Sequence, residues 1–213
     1  MDAAIETVLA EYEQRNNEEH GRMGTTPSRE MLTVRDTMLL TVGREIGLML
    51  NMFVRELKAK RILELGTSYG YSTILLAEAA RDTGGRVITL DLAQYKQDYA
   101  REKLSKLGLA DYVEFHHGDA LETLKTLDGP IDLVLLDIWK ELYVPCLDLF
   151  YPKLAHGAVI VADNMIFPPM AQDDARAYRT AVRAKPHIQS VLLPIGQGVE
   201  ISRFVKDLPA YLV

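Results

Sequence analysis

The sequence predicts an α/β protein, a parallel sheet covered by helices on both faces and finished by an antiparallel hairpin. Three observations carry that expectation. Five short runs rich in β-branched residues, "RILELG" (61–66), "RVITLD" (86–91), "YVEFHH" (112–117), "IDLVLLD" (131–137) and "GAVIVAD" (157–163), mostly close on an acid or a glycine. Helical patterns at 71–82, 94–107, 119–127 and 141–154 separate them, as right-handed βαβ crossovers require. Last, "HIQSVLLPI" (187–195), "GQG" (196–198) and "VEISRFV" (199–205) predict a hairpin.

Ahead of the first strand, residues 2–14 place Ile5, Val8, Leu9 and Tyr12 on one helical face. The stretch "RNNEEHGRMGTTPSRE" (15–30) is polar, carries Gly and Pro, and predicts a mobile loop. From 31 to 57, Met38, Leu39, Leu40, Ile46, Met49, Leu50 and Phe53 are interrupted by Gly43 and Gly47, which predicts two short helices or one kinked helix. The methionines there suit core filling.

A chain of 213 residues is long enough for one such domain and too short for two full-sized ones. Residues 1–213 are therefore expected to form a single domain, with 1–57 as a helical cap. The apolar share of 48% and charged share of 25% are ordinary for a soluble protein. A net charge of −6 argues against an extended phosphate backbone as partner, and no basic stripe is evident. The single cysteine, Cys146, lies in an apolar stretch and reads as a packed thiol. Neither a leader pattern nor a run of 18 apolar residues is present, so a cytoplasmic location with no membrane partner is the expectation.

Open parallel sheets bind ligands beyond the carboxyl ends of their strands, where the strand order reverses. After the first strand, "LELGTSYGYST" supplies Glu64, Gly66, Gly70 and Ser72, with glycines that permit a tight turn and a helix start with free N–H groups. It is not G-x-G-x-x-G, because Ser68 stands where a central glycine would be. Asp91, 21 residues past Gly70, could accept from both hydroxyls of a ribose or cap the next helix. Asp119 in "HHGDALETL" forms a D-x-x-E box with Glu122 and could equally meet an adenine amino group. His116 and His117 face opposite ways in a strand and make a poor metal pair. Asp137, Asp163 and Asn164 follow the fourth and fifth strands. They form a hard-oxygen set suited to Mg²⁺ or Ca²⁺, although each alone also fits a turn or a cap.

Taken in order and spacing, "LELGTSYGYS", "ITLD", "GDALETL", "LLDIWKELY" and "VIVADN" resemble the metal-dependent O-methyltransferases of the catechol and caffeoyl-CoA type, from about Val42 to about Val205. The resemblance implies a class I methyltransferase fold, Rossmann-like, with a seven-stranded sheet in the order 3-2-1-4-5-7-6 and its last strand antiparallel. It implies S-adenosylmethionine as methyl donor and Mg²⁺, or another divalent cation such as Mn²⁺ or Ca²⁺, as cofactors. By matching positions, Glu64, Gly66, Gly70 and Ser72 would hold the methionine end, with Val42 closing over it. Asp91 would take the ribose, Asp119 and Ala120 would border the adenine, and Trp139 would form a wall beside cofactor or acceptor. Asp137, Asp163 and Asn164 would bind the metal, Lys140 would be the base, and Lys140, Asn164 and Glu200 would face the substrate. Ile138 departs from the histidine often found after the metal aspartate. "GRMGTTPS" and "MIFPPMAQDD", expected to line the acceptor pocket, match no specificity pattern.

The reading that follows is methylation of a catechol-like or other vicinal-diol small molecule by a homodimeric enzyme. Rivals are methylation of a hydroxylated uridine in transfer RNA, a non-catalytic S-adenosylmethionine-binding protein, and a nicotinamide dehydrogenase.

Overall fold

The computed structural model describes residues 2–23 and 37–206. Seven strands form one sheet: β1 (Arg61–Leu65), β2 (Arg86–Asp91), β3 (Val113–His117), β4 (Ile131–Leu136), β5 (Leu154–Ala162), β6 (Ile188–Leu193) and β7 (Val199–Phe204). Their order is β3-β2-β1-β4-β5-β7-β6, as the resemblance implied. The first five run parallel, and β7 lies antiparallel between β5 and β6. The helices are α1 (Ala3–Met23), α2 (Arg44–Glu56), α3 (Tyr71–Thr83), α4 (Gln94–Lys106), α5 (Ala120–Thr126), α6 (Tyr143–Phe150) and α7 (Gln172–Arg183).

Alternation along the strands explains why both faces are covered. Ile62, Val87, Leu133, Val159 and Val161 pack on one side with residues of α1 to α4. Leu63, Leu65, Ile88, Leu90, Val134, Leu136 and Ile160 pack on the other with α5, α6 and α7. Cys146 is buried in this second layer, and burial pushes its thiol up to about 12, so it is a packed thiol.

Three local readings change. Residues 15–23 continue α1 rather than starting a loop, and 24–30 lie outside the described residues, as do 31–36. Polar composition is no obstacle there, because Arg15 pairs with Glu19 one turn on and Glu19 accepts from the Leu39 N–H at 2.7 Å. Gly47 lies inside the helix Arg44–Glu56 instead of interrupting it, where a Cβ would lie 2.4 Å from Leu75 Cδ1, and Gly43, at φ 83°, stands at the start of that helix. Finally, β5 begins at Leu154, not 157, because a register shift between Ile131 and Leu133 lets "LAHG" join the ladder as a bulge. Among the described residues no helix is long and apolar enough to cross a membrane.

Candidate active site

Between β1 and β4 the strand order reverses, and the chain leaves both strands at the same rim. Backbone bonds carry the ladder one residue past each strand. The Asp137 N–H donates to the Leu65 carbonyl at 2.9 Å, and the Asp163 N–H to the Leu136 carbonyl at 3.1 Å. Gly66, at φ 104°, follows β1, where an added Cβ would lie 2.1 Å from the Asp137 carbonyl oxygen. Only glycine fits so close to the neighbouring strand end.

Beneath this turn is Glu64, fully buried. Ser72, Thr73 and Thr89 each donate a hydroxyl to its carboxylate at 2.6 Å. Burial pushes Glu64 up to about 7 against those hydroxyls, with the nearby Asp137 charge adding to the rise. Glu64 and Ser72 thus brace the glycine turn from below. Gly70, at φ 90°, starts α3 where a Cβ would lie 2.6 Å from Ala100 Cβ, so its lack of a side chain serves the approach of α4.

Asp91 lies at the end of β2, accepting from the Ser68 N–H at 2.7 Å and the Ala93 N–H at 2.8 Å. Each of its oxygens keeps a lone pair for a further donor. Asp119 is exposed and caps α5, accepting from the N–H groups of Leu121 and Glu122, with Ala120 half-buried beside it. Val42 is buried in the layer beside α2.

Across the rim, Asp137 is half-buried, and Lys140 Nζ is 3.6 Å from its Oδ1. Lys140 is itself buried and donates to the Tyr143 hydroxyl at 2.5 Å and the Ile138 carbonyl at 3.1 Å. The same hydroxyl reaches the carbonyls of Leu136 at 2.7 Å and Asp163 at 3.2 Å. Tyr143 therefore ties Lys140 to both acidic strand ends; the Lys-x-x-Tyr spacing was its only trace in the sequence. Burial, with the charges of Asp137 and Asp163, holds its phenol well above the usual range, so it stays a hydroxyl.

Asp163 is buried, and burial plus the neighbouring Asp137 carboxylate pushes it up to about 8, partly offset by the Asn164 N–H and Lys140. Asn164 follows at φ 59°, its backbone N–H 2.7 Å from Asp163 Oδ1. Two acids forced together, with an amide beside them, are a donor set that a divalent cation would relieve; hard oxygen ligands are what Mg²⁺ takes. Asp137 and Asp163 are the only acids of this set, so among the described residues no group of three His, Cys, Asp or Glu forms a metal cluster.

One residue is not brought to that cluster. Glu200 is fully buried in β7, where Arg183 of α7 grips it with two bonds at 2.8 and 3.0 Å and Ser190 donates at 2.5 Å. Its carboxylate is thus committed to anchoring α7. Trp139 is 55% exposed at the same rim. Ile166, Phe167 and Met170 are large exposed apolar side chains on the segment after Asn164.

The fold and the order of this rim are similar to those of known methyltransferases. A family model described as a methyltransferase domain matches residues 63–165. The catechol O-methyltransferase of Mycobacterium tuberculosis is 41% identical over 128 residues, 60% of this chain and 58% of that one. The caffeoyl-CoA O-methyltransferase of Eucalyptus gunnii is 27% identical over 198 residues, 84% of this chain and 79% of that one. Among solved structures, the O-methyltransferase TomG from Streptomyces achromogenes, involved in tomaymycin synthesis and in complex with SAM, superposes with a TM-score of 0.75 at 26% identity, covering 96% of this chain and 91% of that one. The chain is thus similar to S-adenosylmethionine-dependent O-methyltransferases of the catechol and caffeoyl-CoA type.

Proposed function

We propose that this protein transfers a methyl group from S-adenosylmethionine to one hydroxyl of a vicinal diol on a small aromatic molecule, with Lys140 as the base. The observation that carries the reading is the convergence of Lys140, Asp137 and Asp163 at one strand-end rim, with Lys140 Nζ 3.6 Å from Asp137 Oδ1. The glycine turn, Asp91 and Asp119 stand along the same rim, where the donor would bind.

Asp91 would accept from the ribose hydroxyls, and Leu92 beside it offers exposed apolar surface to a base. S-adenosylmethionine supplies an electrophilic methyl on sulfur. Asp137, Asp163 and Asn164 would hold Mg²⁺, which supplies acidification and orientation of a bound diol. Lys140 must be neutral to take the acceptor's proton, and Tyr143 fixes where its amine stands. Ile166, Phe167 and Trp139 provide apolar surface for an aromatic acceptor. General-base help is worth about 10²–10⁴-fold in rate, and alignment of donor and acceptor contributes further.

The test compares products from 1,2- and 1,3-benzenediol by mass spectrometry, with wild type and Lys140→Met. Wild type should give one methyl ether of the 1,2-isomer, with the 1,3-isomer a poor substrate. Lys140→Met should lose about 10²–10⁴-fold in kcat while S-adenosylmethionine affinity holds. Equal turnover by wild type and Lys140→Met, or methyl label entering bulk transfer RNA instead, would contradict the reading.

A further inference from the structure

The turn between β6 and β7 reaches the metal rim from the far side of β5. The Gly198 N–H closes it onto the Ile195 carbonyl at 2.9 Å. The segment after Asn164 is laid along this turn. Met165 donates its N–H to the Gly198 carbonyl at 2.9 Å, and Ile166 and Phe167 both donate to the Gln197 carbonyl, at 2.9 and 3.1 Å. Gly198 has no room for a side chain, since a Cβ would lie 2.4 Å from Ile166 Cγ1. On its other side the turn touches α2, where a Cβ on Gly196 would lie 2.9 Å from Ile46 Cδ1. The turn is thus wedged between α2 and the segment carrying Ile166 and Phe167.

From this fixed turn the Gln197 side chain reaches back to Asn164, whose Nδ2 donates to Gln197 Oε1 at 3.0 Å. The same nitrogen is 3.4 Å from Asp163 Oδ2, long for a hydrogen bond, so Gln197 is the stronger partner. An asparagine amide can turn over, exchanging its oxygen and nitrogen, unless a neighbour accepts from one end. We infer that Gln197 is a positioning residue that accepts from the Asn164 amide nitrogen and so keeps the amide oxygen available to a divalent cation held with Asp137 and Asp163. The inference rests on the metal reading above and adds a residue that the resemblance did not include.

The test uses the full-length protein stripped with EDTA and Mn²⁺ as the probe, with free Mn²⁺ followed by electron paramagnetic resonance. Q197L removes the acceptor, whereas Q197E keeps one that can only accept. Q197L should weaken Mn²⁺ binding about 10-fold or more, as loss of an outer partner of a metal ligand does. Q197E should bind at least as tightly as wild type. Both variants should keep the wild-type affinity for S-adenosylmethionine and the wild-type thermal midpoint in EDTA. Equal Mn²⁺ binding by wild type and Q197L overturns the inference and leaves the metal reading standing. Q197E failing as badly as Q197L, or a joint loss of cofactor affinity and stability, also overturns it. A wild type that takes up no Mn²⁺ overturns the metal reading, and the inference with it.

Discussion

Glu64 shows how one side chain can be legible in identity while its partners are not. As an acid after an apolar strand it suggests a ligand contact, yet all three neighbouring hydroxyls, from Ser72, Thr73 and Thr89, are turned onto it. Burial raises its folded value from 4.5 to about 7. The folded protein therefore keeps a proton that the unfolded chain releases, and stability falls as pH rises through that window. Above about 7 the penalty is complete and constant. Asp163, raised to about 8, adds a slope of the same sign that extends slightly higher. Urea unfolding in EDTA from pH 4.5 to 8 should show this decline, and Glu64→Gln should flatten its lower part. A variant with the wild-type slope would mean that Glu64 is ionised throughout. The reverse holds for the cation binding we propose at Asp163, which would need the carboxylate and so should tighten as pH rises.

At the scale of elements, α7 and the hairpin are joined by one buried pair. Glu200 is fully buried, and Arg183, itself about half exposed, neutralises it through two bonds. Removing the arginine strands a charge in the interior, which for a buried pair costs about 3–5 kcal/mol; the exposure of Arg183 favours the lower end. Arg183→Ala should therefore lower stability by roughly 3 kcal/mol, and adding Glu200→Gln should recover part of the loss because no buried charge remains. Denaturant unfolding of the single and double variants measures both. If the double variant were no more stable than Arg183→Ala, the pair would not be what holds α7. This commitment of Glu200 follows from alternation in β7. Val199 and Ile201 pack on the face that bears α1 to α4, leaving Glu200 and Phe204 on the face that bears α7. The spacing in "GQGVEIS" does not reveal which face is which until β7 is inserted beside β5.

Across the whole molecule, what was legible was whatever repeats locally. Apolar runs that stop at Asp91, Asp137 and Asp163 mark the strand ends, and parallel order then puts Asp137 and Asp163 side by side. Contacts between distant elements were not legible. Gln197 and Asn164 are 33 residues apart, and only the insertion of β7 next to β5 brings them together. Polar spacing hid the length of α1 for the opposite reason, since "RNNEE" is held in the helix by the Arg15–Glu19 ion pair and by bonds to the segment at Thr37 to Leu39. The ends of β1, β2, β4 and β5 nonetheless meet at one rim, and cation-assisted methyl transfer at that rim is the activity we propose. The most direct test is the initial rate of methyl transfer from S-adenosylmethionine to 1,2-benzenediol by EDTA-stripped protein as Mg²⁺ is restored. The rate should rise from background and saturate for wild type, and stay at background for Asp163→Asn. An undiminished rate in EDTA, with no divalent cation present, would contradict the account.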